Sequence, residues 1–258
     1  MKIFVCVKQV PDTETKIRIR PDGSGIESTG IKWVMNPYDE FAVEEAIKLR
    51  DTNPGSQIFV ATAGPKERAA EVLRTALAMG ADEGVVIYGP ENLDAFSTAK
   101  ALAEAIKKEG GADVIFTGKL AIDQNQASVS QMLAEFLGIP HTSVVSKFQF
   151  ADKSAKVERD VEGGAKEKIQ MSAPCLVAAN KGLNMPRYAS LPGIMKAKKK
   201  VLKEYEISAL GVSDGDRKVV YSQYSLPPEK PAAKLLQGDA AAQVTELVRL
   251  LRDEAKAL

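Results

Sequence analysis

A stretch rich in amides and hydroxyls, residues 118–130, carries side chains that suit the binding of a phosphate group. It holds Gln124, Asn125, Gln126, Ser128 and Ser130, and it runs directly into a segment with helical periodicity. The first N–H groups of a helix lack intrahelical partners and favour anions. The same residues also fit a solvated loop that caps its helix, so both interpretations remain open here.

Two more polar loops follow apolar stretches that resemble buried strands. Residues 8–13 follow the first apolar stretch, and residues 63–65 follow the second. Open parallel sheets bind ligands outside the carboxyl ends of their strands. The three loops are therefore predicted to lie at one sheet edge, where they could either bind a nucleotide or remain solvated.

The motifs typical of common enzymes are missing from the sequence. The glycines of residues 23–25 lie in a predicted hairpin and not between a strand and a helix, so they are no dinucleotide fingerprint. A Walker-type lysine loop and a Gly-x-Ser-x-Gly elbow are also missing. His141 is the sole histidine, and Cys6 and Cys175 are the sole cysteines. We therefore expect no metal site, no catalytic triad and no enzymatic activity, and we expect both thiols to be buried and reduced.

Composition excludes other classes of function. The 35 basic and 34 acidic residues leave a net charge of +1, which gives no overall attraction for nucleic acid. A membrane span needs about 18 or more apolar residues in a row, and the sequence has no such run. The apolar N-terminus is short for a secretory signal and is interpreted as a first strand. We expect a protein that is not embedded in a membrane and does not bind nucleic acid.

The first half of the chain alternates strand and helix patterns. This alternation predicts an α/β fold with an open, Rossmann-like parallel sheet that helices cover on both faces. A hairpin excursion of two alternating segments, 16–20 and 26–33, interrupts it. The predicted strands are 3–7, 57–62, 85–88 and 113–117, and the predicted helices are 36–50, 67–79, 95–108 and 131–136.

The second half changes character after residue 143. Short strands at 144–150, 155–161 and 166–171 predict a small antiparallel extension, and the apolar residues 175–179 are predicted to return to the central sheet. Beyond residue 202 the chain is polar and contains Pro227, Pro228 and Pro231. We predict two domains, 1–202 and a C-terminal arm 203–258. The arm ends in a helix capped by Asp239, with an apolar face formed by Val244, Leu247, Val248 and Leu251. This face could pack on its own domain or on a partner subunit.

Residues 183–200, called the docking segment below, are typical of a protein-docking surface. Pro186 and Pro192 bracket Tyr188 and Leu191, and a run of lysines follows. Leu191 could instead be a core residue beneath a loop. The lysines Lys196, Lys198, Lys199 and Lys200 could steer acidic partners or form a solvated face.

Several motifs resemble the beta (small) subunit of the electron transfer flavoproteins, in the same order along essentially the whole chain. They are residues 7–12 (VKQVPD), 35–38 (MNPY), 75–82 (TALAMGAD), 118–119 (GK) with 121–123 (AID), 157–164 (VERDVEGG) with Pro174, and the docking segment. The resemblance implies an adenine-nucleotide-hydrolase-like α/β fold. It also implies a heterodimer in which the larger alpha subunit carries most of the FAD site on a mobile domain.

The same resemblance implies that this subunit holds a structural AMP. Carried onto matching positions, the AMP site comprises Cys6, Asn36, Pro37, Tyr38, Asp39, Ala63, Ala121, Ile122, Asp123, Gln124, Asn125, Gln126, Ala127, Ser128, Val129, Ser130, Gln131 and Met132. This is the set of loops that topology predicts.

The resemblance further implies an electron carrier. It would relay electrons from acyl-CoA and other flavin dehydrogenases to the membrane-bound electron transfer flavoprotein–quinone oxidoreductase, as in fatty acid β-oxidation. Residues 10–13 would approach the flavin, and Asp160 would contact the flavin domain where relatives usually have Glu. Tyr188, Leu191, Pro192, Ile194 and Met195 would dock an acyl-CoA dehydrogenase, with Leu191 as the anchor. The first residues show no transit segment, which favours a bacterial cytoplasm and leaves the mitochondrial matrix open.

Two alternatives remain. A flavin-bifurcating relative would hold a second FAD in place of AMP and oxidise NADH. It shares residues 10–13, but its usual Asp-Gly-Asp-Thr loop is absent at 123–128. The other alternative is an ATP-hydrolysing enzyme or nucleotide sensor on the same fold, which would need no alpha subunit.

Overall fold

The computed structural model describes residues 1–230 and 232–258. Pro231, one of the prolines of the predicted arm, lies outside the described residues. Two compact units are present, Met1–Gln223 and Tyr224–Leu258.

The first unit consists of strands, five helices and short 3-10 turns within the described residues. Its strands are β1 (Lys2–Cys6), β2 (Gln9–Pro11), β3 (Trp33–Met35), β4 (Gln57–Gly64), β5 (Glu83–Tyr88), β6 (Val114–Gly118), β7 (His141–Ala151), β8 (Ser154–Asp160), β9 (Lys166–Ser172), β10 (Cys175–Ala179) and β11 (Leu202–Glu206). Its helices are α1 (Pro37–Thr52), α2 (Ala69–Met79), α3 (Ala95–Lys108), α4 (Val129–Leu137) and α5 (Leu191–Lys199).

Nine strands form one mixed sheet in the order β11-β5-β4-β1-β6-β10-β7-β8-β9. From β11 to β7 all neighbours are parallel, whereas β7, β8 and β9 pair antiparallel. The predicted fold, an open parallel sheet with a small antiparallel extension, is confirmed. The chain builds outward from β1 through β4 and β5 and then returns to place β6 on the other side of β1. This reversal of strand order lies between β1 and β6, the position at which such sheets bind ligands.

Helices cover both faces of the parallel part because successive side chains of a strand point to opposite faces. Ile3 and Val5 of β1 lie in the core beside α1 and α2, while Phe4 and Cys6 lie in the core beside α3 and α4. The absence of polar alternation in β1 is thus explained by burial on both sides.

The predicted hairpin excursion is much reduced in the structure. Residues 16–20 and 26–33 share a single antiparallel bridge, Ile19 to Ile26. Trp33–Met35 forms β3 instead, and this strand pairs antiparallel with β2. The backbone of β3 therefore forms its hydrogen bonds with β2, the short strand that follows β1.

The first unit extends beyond residue 202, where we predicted that the arm begins. Leu202–Glu206 forms β11 and pairs in parallel with β5 at the sheet edge. Lys203, Glu204 and Glu206 are exposed and Tyr205 is half-buried, which suits an edge strand that pairs with a neighbour on one side only. Residues 203–223 therefore lie with the sheet, and the second unit begins at Tyr224.

The second unit carries α6 (Ala240–Arg249), which continues as a π-helical turn over Leu250–Glu254. The predicted cap is confirmed, because Asp239 Oδ1 accepts a hydrogen bond from Ala242 N at 2.9 Å. Val244, Leu247 and Val248 are exposed on this helix. Among the described residues no helix has the length and apolar character to cross a membrane.

Candidate functional site

The reversal of strand order brings three elements together at the carboxyl edge of the sheet. β1 ends at Cys6, β6 ends at Gly118, and α1 begins between them with Pro37 in its first turn. Asn36 stands at the start of the predicted helix 36–50, but its side chain makes no capping hydrogen bond. It is buried and reaches across to the loop after β6 instead.

Asp39 joins all three elements through one buried carboxylate. Its Oδ2 accepts from the backbone N–H of Lys8 at 2.7 Å, and its Oδ1 accepts from the backbone N–H of Gly118 at 3.1 Å. The Asn36 amide donates to the same Oδ1 at 2.8 Å. Burial raises the pKa of Asp39 to about 7, while the hydrogen bonds from Asn36, Lys8 and Gly118 oppose that rise. Both oxygens are engaged within the chain, so Asp39 orders the site and leaves no free oxygen for a ligand.

The loop after β6 is held from two sides. Asn36 Nδ2 donates to Leu120 O at 2.8 Å, and Asn36 Oδ1 accepts from Ile122 N at 3.2 Å. Lys8 Nζ lies 2.7 Å from Asp123 Oδ2. The loop therefore has a defined position over the carboxyl ends of β1 and β6.

The start of α4 offers hydrogen-bonding groups that the chain itself does not use. Ser128 precedes the helix, but its hydroxyl forms no capping hydrogen bond with the first turn. Gln131 Oε1, one position further into the helix than Ser130, is buried and has no hydrogen-bond partner. Ser130, in contrast, is engaged, because its hydroxyl lies 2.7 Å from that of Thr117. The uncapped backbone N–H groups at this helix N-terminus can donate to an anionic ligand such as a nucleotide phosphate. Gln131 Oε1 is an acceptor and would pair with a donor group instead.

Residues 121–127 adopt a conformation that few side chains favour. Asn125 and Ala127 have positive φ angles of 53° and 48°, and they flank Gln126. The Gln126 amide contacts the hydroxyl of Tyr221, from the segment after β11. Positive φ at non-glycine residues is maintained by surrounding contacts and is frequent at functional loops.

Most residues predicted for the nucleotide site come together at this edge. Ala63 is the penultimate residue of β4, the strand that pairs with β1, and Cys6 is buried at the end of β1. Burial first, and then the nearby Asp39, raises the pKa of the Cys6 thiol to about 12, so this cysteine is a packing residue and not a nucleophile. Met132 packs against the core beside α3. Lys8 and Gly118 come from the predicted loops and contact Asp39. The structure adds Tyr221, which had no sequence signal.

The docking segment places its predicted contact residues in solvent. Tyr188 is 98% exposed, Leu191 is 79% exposed and Met195 is 65% exposed, and Pro192 and Ile194 are also exposed. Leu191 is thus no core residue. It is the first residue of α5, and Ser190 caps that helix by accepting from Gly193 N at 3.1 Å.

The lysines after Leu191 divide into two groups. Lys196, Lys198 and Lys199 are exposed in the last turns of α5. Lys200 Nζ donates to Ala81 O at 2.8 Å and to Asp82 O at 2.6 Å, so it is committed to the residues after α2. A steering role is therefore open to the first three lysines alone.

Asp160, predicted to contact a flavin domain, lies at the end of β8 and has internal partners. Its Oδ1 accepts from Ser146 Oγ at 2.8 Å, and its Oδ2 accepts from Asn180 Nδ2 at 2.9 Å. Lys166 Nζ lies 3.3 Å from Oδ1. The hydrogen bond from Ser146 is the main cause that lowers the pKa of Asp160. The Asp160 side chain is nevertheless 39% exposed, so any partner would share its carboxylate with these internal donors.

Residues 10–13, predicted to approach a flavin, are only partly accessible. Val10 is fully buried in β2, whereas Thr13 is exposed. Asp12 is paired with Lys32, whose Nζ lies 2.6 Å from Asp12 Oδ2. Contact with a flavin from this side would come from Pro11 to Thr13. Within residues 1–230 and 232–258, no group of three His, Cys, Asp or Glu side chains is placed to hold a metal ion.

Comparison with known proteins identifies the family of the chain. Residues 24–210 match the family model of the electron transfer flavoprotein domain. The chain is 44% identical to electron transfer flavoprotein subunit beta of Bacillus subtilis, over all of both chains. It is 41% identical to the mitochondrial beta subunit of Oryza sativa subsp. japonica, again over all of both chains. It is 37% identical to the beta subunit of Homo sapiens, covering 97% of this chain and 99% of the human one.

Proposed function

This chain belongs to the electron transfer flavoprotein family as a beta subunit, and we propose that it joins an alpha subunit, holds AMP and docks flavin dehydrogenases. FAD, bound mainly by the alpha subunit, would supply the redox chemistry by taking up and releasing electrons. The residues of this chain bind, orient and recognise. The proposed partners are acyl-CoA dehydrogenases on the donor side and the electron transfer flavoprotein–quinone oxidoreductase on the acceptor side.

The observation that carries the docking role is the position of Leu191. An aliphatic side chain that is 79% exposed at the first turn of a capped helix has no stabilising role in this chain. Burying such a side chain in an apolar pocket contributes about 1.5–3 kcal/mol. That magnitude supports recognition and still permits release, as a carrier that serves several donors requires.

The proposed AMP site is the carboxyl edge formed by β1, β6, α1 and α4. The backbone N–H groups at the start of α4, which no side chain caps, are available to donate to the phosphate. Lys8, through its backbone N–H to Asp39 and its ammonium to Asp123, would hold two walls of the site together. We propose a structural role for this site, because the thiol of Cys6 and the carboxylate of Asp39 beside it are both buried.

The exposed face of α6 is proposed to bind the alpha subunit. Val244, Leu247 and Val248 lie on one side of this helix and are exposed. An amphipathic helix gains most of its stability from packing that side against another surface. Removal of residues 224–258 should therefore weaken the heterodimer.

The test is to purify the heterodimer, release its bound nucleotides and identify them by mass spectrometry. One FAD and one AMP per heterodimer, with reduction by an acyl-CoA dehydrogenase and its acyl-CoA, is the expected result. Two FAD molecules and reduction by NADH would instead establish the bifurcating alternative. A stable monomer that hydrolyses ATP would place the chain among nucleotide-hydrolysing enzymes.

A further inference from the structure

The first half of the docking segment is held on α1 by two carboxylates. Glu44 Oε2 accepts from both the backbone N–H and Nε of Arg187, at 3.1 and 2.8 Å, and Glu44 Oε1 accepts from Arg187 Nη2 at 3.0 Å. One helical position on, Glu45 Oε2 accepts from the Asn184 amide at 2.8 Å, and the same amide donates to Phe41 O at 2.9 Å. The backbone between Asn184 and Arg187 is therefore fixed at both ends.

The buried carboxylate of Glu44 forms a bidentate pair with the guanidinium of Arg187. Its side chain is only 8% exposed, so its charge requires compensation. The planar guanidinium of Arg187 supplies two parallel hydrogen bonds and the charge together. The hydrogen bond that Arg187 donates to Glu44 is the main cause that raises the pKa of Arg187. A Lys at 187 would keep the charge and lose the paired geometry.

The second half of the docking segment is fixed on α2. A Cβ atom at Gly193 would overlap the carbonyl oxygen of Ala78, so the two backbones are in direct contact. Arg74 Nη1 donates to Ala197 O and Lys200 O at the end of α5. Tyr188 and Leu191 thus lie between an attachment to α1 and an attachment to α2.

Apolar packing holds the docking segment at few points before α5. Leu183 and Ala189 pack against the core, whereas Met185 and Tyr188 point into solvent. Between the two packed residues, the polar contacts of Asn184 and Arg187 are what orders the backbone. A segment that is ordered before binding avoids an entropy cost when a partner is bound.

We propose that Glu44 and Arg187 are positioning residues of the docking surface. They keep Tyr188 and Leu191 in the arrangement that a dehydrogenase binds, and so they determine docking strength while leaving electron transfer within the bound complex unchanged. The proposal rests on the docking function proposed above for this segment.

The test compares Glu44→Gln and Arg187→Lys with the unaltered protein, each as the heterodimer with its alpha subunit. The probe is an acyl-CoA dehydrogenase reduced by its acyl-CoA, with the heterodimer as the varied electron acceptor. Both variants should leave the docking segment less ordered in the free heterodimer, so that binding must pay the entropy cost of ordering it. KM for the heterodimer should therefore rise roughly fivefold or more, and kcat should stay within about twofold. FAD content and the rate of photochemical reduction should not change. Hydrogen exchange should become faster at the amides of residues 185–190.

Lys107→Gln is the matched control. Lys107 pairs with Glu104 at 2.9 Å on α3, which covers the opposite face of the sheet from α1. It should leave KM unchanged. A KM that stays constant in both Glu44→Gln and Arg187→Lys, or a fall in kcat accompanied by loss of FAD, would overturn the proposal. If Glu44→Gln does not assemble, Arg187→Lys alone tests the proposal, because residue 187 is half-exposed and lysine keeps its positive charge.

Leu191→Ala separates this inference from the function on which it rests. If Leu191→Ala raises KM while Glu44→Gln and Arg187→Lys do not, only the positioning role fails. If Leu191→Ala also leaves KM unchanged, the docking function of the segment fails, and the positioning role fails with it.

Discussion

Gly118 and Asp39 are joined by a hydrogen bond that spans 79 positions of the sequence, from Gly118 N to Asp39 Oδ1 at 3.1 Å. It ties the carboxyl end of β6 to the first turn of α1. The other oxygen of the same carboxylate accepts from Lys8 N, just after β1. One side chain thereby sets the spacing of the three elements around the proposed AMP site.

Gly118→Ala should disrupt this spacing. A Cβ at residue 118 would overlap Asp39 Oδ1 and would lie 2.7 Å from Tyr38 Cβ, so α1 must move. Overpacking of this kind costs about 1–3 kcal/mol. We expect a lower thermal midpoint and loss of AMP from the purified heterodimer, measured by calorimetry and mass spectrometry. Gly25→Ala is the control, because the nearest atom to its added Cβ would be Arg20 Nη1 at 3.7 Å; equal AMP retention in both variants would contradict the prediction.

Asp39 should make the stability of the heterodimer depend on pH. Burial raises its pKa from 3.8 to about 7, so between these values the folded chain binds a proton that the unfolded chain releases. This contribution is fully present below about pH 4 and is lost as pH rises through 7. The difference in thermal midpoint between the unaltered protein and Asp39→Asn should therefore shrink from pH 5 to pH 8.

Asp22→Asn provides the control for this pH series. Asp22 is exposed, and a hydrogen bond from the Ser24 backbone lowers its pKa, so its titration lies outside the range tested. Its substitution should leave the slope unchanged. A difference between the unaltered protein and Asp39→Asn that grows with pH would show that the Asp39 carboxylate is stabilised in its charged form.

Leu191→Ala should weaken docking without affecting assembly. The side chain is exposed, so its truncation removes no internal packing. Losing an anchor of about 1.5–3 kcal/mol corresponds to roughly a tenfold or larger fall in kcat/KM with an acyl-CoA dehydrogenase. FAD content and heterodimer mass should match the unaltered protein. Val201→Ala, a truncation at another exposed aliphatic residue just beyond α5, should have little effect; similar losses in both variants would mean that Leu191 is no specific anchor.

Asp160→Ala tests the proposal that this carboxylate, besides its internal hydrogen bonds, contacts the flavin domain. Its carboxylate already accepts from Ser146 and Asn180, so the substitution also frees those two side chains. We expect the flavin domain to sample more orientations, seen as a larger radius in small-angle scattering of the heterodimer. Ser146→Ala removes one internal donor and keeps the carboxylate, so it should retain the original radius. An unchanged radius in Asp160→Ala would show that Asp160 serves this chain alone.

Local patterns were sufficient for the elements of the parallel sheet. The predicted strand 175–179 and helix 95–108 match β10 and α3 residue for residue. Burial on both faces leaves strands continuously apolar, and a cap such as Asp94, which accepts from Ser97 N, marks a helix start locally. Such signals depend on neighbours within a few positions, so they can be recognised in the sequence without knowledge of the tertiary structure.

The sequence by itself determined the alternation of elements, the carboxyl-edge loops and the exposed character of the docking segment. Tertiary structure alone decided that residues 202–206 pair with β5, because an edge strand with charged residues resembles a polar tail until its neighbour is known. It also decided that Asp39 meets Gly118 and that Glu44 meets Arg187, 143 positions away. Spacing along the chain fixes which face a side chain occupies, but only the strand order and helix packing bring distant donors and acceptors within hydrogen-bonding distance.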